Sequence, residues 1–180
     1  MKPSTCKVCK AEFVKHKMGQ KVCSPECAQT FGMSKNAKAL KVEITRARKA
    51  AKEKLKTRSD WLKEVQAVVN AVARERDKDQ PCISCGRHHQ GQYHAGHYLS
   101  VGAHPEKRFD LDNIHKQCQP CNTHLSGNQL EYRKGLAARY GQDYVSAIET
   151  PMPTRKYTVD ELIELKQFYK AKLKAMREAA

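Results

Sequence analysis

Eight cysteines fall in four close pairs, Cys6/Cys9, Cys23/Cys27, Cys82/Cys85 and Cys118/Cys121. No other feature limits the possible folds as strongly. A Cys-x2-Cys turn sets two thiolates on one side of a tight loop, which is half of a tetrahedral zinc site. Cys6, Cys9, Cys23 and Cys27 make one set of four, and Cys82, Cys85, Cys118 and Cys121 make another. Disulfides are the competing reading. The opening MKPSTCKVCK has no apolar signal segment, so the expected location is the cytoplasm, where thiols stay reduced. Four-thiolate zinc is a closed site, so both expected zinc ions are structural. Apolar residues make up only 39% of the 180-residue chain. A single large core is therefore not expected, and small modules of this kind need staples.

Charge divides the chain unevenly. Residues 1–80 carry 20 Lys/Arg against 9 Asp/Glu, while residues 81–150 carry 7 against 6. The positive field is thus mostly N-terminal, and it suits a polyanion such as nucleic acid. No apolar stretch is long enough to span a bilayer, and no membrane partner is expected.

Four segments follow. Residues 1–34 form an N-terminal four-cysteine zinc module, in which KVCSPEC resembles the knuckle and helix start of treble-clef fingers. Residues 35–79 lack Gly and Pro and read as basic helices. Lys41, Arg46, Arg48, Lys49, Lys52, Lys54, Lys56 and Arg58 are candidate DNA-binding residues, suited to lying along phosphates without reading bases. Ser59 or Asp60 is a candidate cap for a second helix, whose stripe of Trp61, Leu62, Val65, Val68, Val69 and Val72 faces a core. Residues 80–150 hold the second zinc set and a helix stopped by Gly141. Residues 151–180 are a proline-containing linker and a C-terminal helix with a Thr158/Glu161 capping box. Its stripe of Leu162, Leu165, Tyr169, Leu173 and Met176 suits either the chain's own domain or a second copy, with a homodimer contact favoured.

Thirty-two residues separate Cys85 from Cys118, and they contain a histidine cluster. HAGHY, DNIHKQC and CNTH resemble the three motifs of HNH, or ββα-metal, nucleases. The wider pattern AGHY…RFDLDNIHKQCQPCN…LSGN…EYRKGL…YG resembles the NinG/Rap recombination endonuclease family of lambdoid phages, along the whole chain. The implied fold is α+β, built of small zinc-stapled modules: a treble-clef-like finger, basic helices, an HNH domain and a C-terminal helix.

The resemblance implies that His97 is a general base on the first strand of a ββα unit, and that Asn113 pins the hairpin. It makes Asn122, at the opening of a helix, a ligand of a catalytic Mg2+ or Mn2+. Such chemistry needs a neutral histidine to take a proton from water and a hard cation to offset phosphate charge. Plainer readings stand beside these: an ordinary strand histidine or a spare zinc ligand for His97, an Asx turn residue for Asn113 and a helix cap for Asn122.

The chain departs from the family pattern at Gly96, where many HNH enzymes place a metal-binding Asp immediately before the base. His94 is the candidate substitute. A regular strand points His94 and His97 to opposite faces, and a bulge at Gly96 is one way to bring them together. Asp110 and Asp112 are lesser metal candidates. His104, His115 and His124 read as surface or supporting residues, and His88 and His89 as facing solvent or DNA.

The implied function is a metal-dependent endonuclease that cleaves branched recombination intermediates, Holliday junctions and D-loops, in the bacterial host cytoplasm. The alternative is a non-catalytic zinc protein that binds DNA as a recombination accessory. An RNA partner has less support, since no aromatic RNA-binding platform is evident.

Overall fold

The computed structural model describes residues 3–179. The chain divides into two compact units, one ending at Lys56 and one beginning at Thr57. These do not coincide with the boundaries expected at 34/35, 79/80 and 150/151, because one helix runs unbroken across 34/35 and later segments share cores.

In the first unit, strands β1 (Ser4–Thr5) and β2 (Glu12–Phe13) pair antiparallel, with Ser4 opposite Phe13. The chain then reaches α1, Pro25–Lys54. Its start follows from sequence. Ser24 accepts a hydrogen bond from the Cys27 amide, and Pro25 occupies the first turn, where its missing N–H costs nothing. Helix-forming Ala, Lys, Arg and Glu carry it onward. No residue of α1 is buried.

The second unit holds α2 (Arg58–Arg76), β3 (Tyr93–His97), β4 (Ile114–Cys118), α3 (Gln129–Tyr140), α4 (Gln142–Glu149) and α5 (Val159–Glu178). The cap of α2 is Thr57, which forms a reciprocal box with Asp60, rather than Ser59 or Asp60 itself. The box at α5 (Thr158 with Glu161) and the stop of α3 at Gly141 (φ 91°) are as expected.

One core is made by Trp61, Val65, Val69 and Ala73 of α2 with Phe109, Ile114 and Leu162. Ile163, Leu165 and Tyr169 of α5 pack on it, so the first turns of the C-terminal stripe dock on their own domain. A second core joins Ile83 and Tyr98 to Tyr132, Leu136, Val145 and Ile148 of α3 and α4. Gly135 lets α3 approach the first cysteine knuckle of this unit, since a Cβ there would overlap the Ile83 carbonyl.

The end of α2 is tied to β4 by polar groups. Asp77 accepts from the Lys116 amide at 2.9 Å, and Arg76 donates to the carbonyls of Leu111 and Ile114 at 2.9 and 2.8 Å. Burial raises the Asp77 carboxyl, but Arg76 and the Lys116 amide outweigh it and hold the group below the usual range. Among the described residues, no helix is long and apolar enough to cross a membrane.

Candidate functional site

Both expected cysteine sets assemble. In each, the four sulfurs lie within 4.8 Å of one another. Sulfur–sulfur separations are 3.4 Å for Cys9–Cys23, 3.7 Å for Cys23–Cys27 and 3.9 Å for Cys85–Cys118. These are far from a bonded pair and near the roughly 3.8 Å between ligands of a tetrahedral site with ~2.3 Å bonds. All eight cysteines are free. Within the first cluster the thiol pKa values are driven apart: hydrogen bonding to Cys9 and Cys6 pushes the Cys23 thiol up to about 12, while at Cys6 burial is outweighed by the backbone N–H groups of Val8, Cys9 and Cys23, which hold it down at about 6. The donor set and spacing fit zinc at both clusters. In the second, His89 turns its Nε2 to the Cys85 sulfur at 3.2 Å and its backbone N–H to the Tyr93 hydroxyl at 2.6 Å. His89 therefore supports the cysteine cluster rather than facing solvent or DNA. A histidine four residues past a Cys-x2-Cys turn is the signal that could have found it.

β3 and β4 form an antiparallel hairpin whose register runs unbroken from Tyr93–Cys118 to His97–Ile114. No bulge forms at Gly96, so alternation separates the two histidines. His97 lies toward α2, with Nε2 3.3 Å from Gln66 Nε2 and 3.1 Å from the Arg108 carbonyl. That carbonyl only accepts, which fixes the ring proton on Nε2. His97 Nδ1 has no partner among the described residues. Burial lowers the His97 pKa below its ordinary value, the Arg108 carbonyl offsets part of this, and the Arg108 charge adds to the lowering. The ring is thus neutral near pH 7.

Asn113 is fully buried and closes a short 3-10 turn (Leu111–Asn113) just before β4. Its oxygen accepts from the Leu99 amide at 2.7 Å, and its nitrogen donates to the Leu99 and Lys107 carbonyls at 2.9 and 3.3 Å. The side chain stitches the long 98–113 connection across its base and fixes the position of Arg108 beneath His97. The turn is initiated separately, by Asp110 accepting from the Asp112 amide.

Asn122 does not open a regular helix. It sits in a π-helical turn, Pro120–His124, and α3 starts only at Gln129. From there its amide meets His94 Nδ1 at 3.3 Å. His94 Nε2 is buried without a hydrogen-bond partner. A polar cleft of about 450 Å3 borders this pair, lined by Asn70, Arg74, Gln92, Tyr93, His94, Ala95 and Asn122. Asn70 and Arg74 come from α2, whose polar face the sequence marks only as the back of a core helix.

Of the remaining histidines, His104 contacts Glu106 at 3.2 Å and His124 is exposed. His115 is fully buried, neither at the surface nor at the cleft. Its Nδ1 lies 3.2 Å from the Tyr132 hydroxyl, which donates to the Gly96 carbonyl at 2.9 Å. The candidate basic residues Lys41, Arg46, Arg48, Lys49, Lys52 and Lys54 are exposed along α1. Lys56 instead bonds Glu53 at 2.6 Å, and Arg58 donates to the Tyr157 carbonyl at 2.7 Å.

A family model described as bacteriophage lambda NinG protein matches residues 1–179. Protein ninG of Escherichia phage 933W is 40% identical over 192 residues, covering 97% of this chain and 94% of that protein. Those of Escherichia phage lambda and Salmonella phage P22 are each 40% identical over 175 residues, covering 87% of this chain and 84% of theirs. No solved structure matches. With a family model matching nearly every residue and relatives 40% identical over most of their length, the chain belongs to the bacteriophage lambda NinG family.

Proposed function

We propose that this chain is a zinc-stapled, metal-dependent DNA endonuclease of the HNH type that cleaves branched recombination intermediates such as Holliday junctions and D-loops, as the NinG/Rap resemblance implies. The observation that carries the reading is the state of His97. It stands at the end of β3, held through Nε2 by the Arg108 carbonyl, with its pKa lowered mainly by burial. A neutral imidazole with a free Nδ1 is what a general base requires near neutral pH. Asn113 serves this base indirectly, by fixing the connection that carries Arg108.

The position before the base, usually Asp in HNH enzymes, is Gly96. Residues 94 and 96 share a strand face, so His94 reaches the same side without a bulge. His94 and Asn122 would hold Mg2+ or Mn2+, the cation taking the place of the hydrogen bond that the Asn122 amide now gives His94 Nδ1. The bound cation would offset negative charge on the scissile phosphate and leaving oxygen. Arg74 lines the same cleft, and its guanidinium would hold a phosphate there. Exposed lysines and arginines on α1 supply contacts to DNA backbone that are blind to sequence. They suit a substrate recognised by shape, and they favour DNA as the partner.

The test is cleavage of synthetic branched and linear duplexes, with and without Mg2+ or Mn2+, beside His97→Ala. The variant should lose ~10^2–10^4-fold in rate, with DNA binding and zinc content unchanged. The acidic limb of the wild-type rate should fall below pH 6.5, because the lowered His97 pKa keeps the base unprotonated to lower pH. Wild-type cleavage by His97→Ala would sink the HNH assignment in favour of a non-catalytic zinc-dependent DNA-binding accessory protein.

A further inference from the structure

Gly96 is glycine for a reason that strand geometry does not supply. A Cβ at this position would overlap Gln117 Oε1 and lie 3.1 Å from Asn122 Oδ1. Two side-chain oxygens thus converge on the space beside the Gly96 Cα. Gln117 is fully buried and faces His94 directly across the hairpin. Its amide nitrogen donates to the Gly127 carbonyl at 2.5 Å and to Ser84 Oγ at 2.6 Å. A backbone carbonyl can only accept, so the amide cannot be turned over. The oxygen is therefore committed to the Gly96 side, and there it has no hydrogen-bond partner. A buried carbonyl oxygen left unpaired is costly, and such an atom calls for an explanation. His94 Nε2, from the residue opposite, is buried and unpartnered as well.

We propose that Gln117 Oε1 is a third protein ligand of the divalent cation assigned above to His94 and Asn122, and that Gly96 keeps open the space this oxygen occupies. The inference rests on the metal-dependent reading. Hard cations favour carbonyl oxygens, and Mg2+ commonly keeps several waters beside a few protein ligands. An Asp at position 96 could not coexist with Gln117 in its present place. The chain has exchanged a ligand from β3 for one from β4. Gln117, Asn122 and His94 are all neutral donors, so the cation retains its full charge for an anionic phosphate.

The experiment uses the full zinc-loaded chain and Mn2+ as probe. In the wild type labelled with 13C at the glutamine side-chain carbonyl, one equivalent of Mn2+ should give a strong 13C coupling by pulsed electron–nuclear double resonance, as a directly bound Gln117 Oε1 requires. By electron paramagnetic titration, Gly96→Ala and Gln117→Ala should each weaken Mn2+ binding roughly tenfold or more. The double variant should bind no worse than Gln117→Ala alone, because Ala at position 96 acts only by displacing the Gln117 oxygen. Zinc content and circular dichroism report folding of each variant. If Gln117→Ala fails to fold, the wild-type 13C coupling decides alone. Mn2+ binding that requires His94 and Asn122 but shows no glutamine 13C coupling overturns the third ligand and spares the nuclease reading. A wild type that binds no Mn2+ overturns both.

Discussion

In the cluster of Cys6, Cys9, Cys23 and Cys27, Cys6 alone is buried, and it is the only buried residue among those described up to Lys56. In the cluster of Cys82, Cys85, Cys118 and Cys121, three cysteines are buried and Tyr93 packs against them. Cys118 ends a strand whose other end, Ile114, belongs to the α2 core, and Ile83 belongs to the α3–α4 core. The same four-thiolate chemistry thus does two jobs. In the first unit the cluster is the only candidate for a core among the described residues. In the second it fastens two hydrophobic cores that already exist.

The largest effect that could break this contrast is metal removal. Structural zinc in small fingers contributes ~10–16 kcal/mol at pH 7. Chelation should abolish ordered structure around the β1–β2 hairpin while α2 and α5 keep their contacts. Limited proteolysis with zinc analysis reads this, and loss of the α2–α5 pairing before the hairpin would invert the comparison. Next in size is DNA affinity. If α1 neutralises ~6–10 phosphates, binding should fall ~10^3–10^5-fold between 50 and 200 mM salt. Replacing Lys41, Arg46, Lys49 and Lys52 by Ala should weaken binding to every DNA shape and flatten the salt slope. Lys172→Ala with Lys174→Ala on α5 should do neither. Equal effects from the two sets would mean that affinity is not localised to the first unit.

Smaller effects sharpen the description of the second unit. Asn113→Ala leaves the buried Lys107 carbonyl and the half-buried Leu99 amide and carbonyl without their partner, a loss of on the order of 1–3 kcal/mol for the buried group and less for the others. The sole tryptophan, Trp61, lies in this unit's core, so its fluorescence in urea measures that loss selectively. An unchanged midpoint would show the stitching to be dispensable. Last comes pH. Burial, aided by the charges of Arg76 and Arg139, pushes His115 down to about 3. Unfolded, it titrates near 6.5. As pH falls below 6.5 the unfolded chain takes up a proton that the folded one refuses, so stability declines by about 1.4 kcal/mol per pH unit. His115→Phe should flatten that decline between pH 6.5 and 5.5, and an unaltered slope would point to another group.

Legibility in the sequence follows the range of the interactions. The cysteine pairs, the Thr158 capping box and the Gly141 stop depend on neighbours a few residues away, and each is readable. The cap at Thr57 is misplaced by two or three residues because Thr57, Ser59 and Asp60 are all competent caps, and only the reciprocal bond between Thr57 and Asp60 selects one. The roles of Gln117, Asp77 and His115 are unreadable, since each depends on groups brought together from distant segments. Asn122 is singled out by its motif, but its π-helical turn is not legible, because nothing in PCNTH distinguishes that turn from the start of an ordinary helix. The C-terminal stripe is visibly apolar, yet no single chain property says whether such a stripe meets its own domain or a copy.

The docking of α5 on α2 also sets an order of events during synthesis. Val65 and Val69 leave the ribosome well before Leu162, Ile163 and Leu165, which complete their core. Until then the nascent chain carries a valine-lined helix face with nothing to cover it. The β3–β4 hairpin, whose His97 leans on Gln66 of that same helix, cannot settle against a finished support until the last helix arrives. Maturation of the site is therefore timed by the C-terminal end of the chain, although none of the site's chemistry resides there.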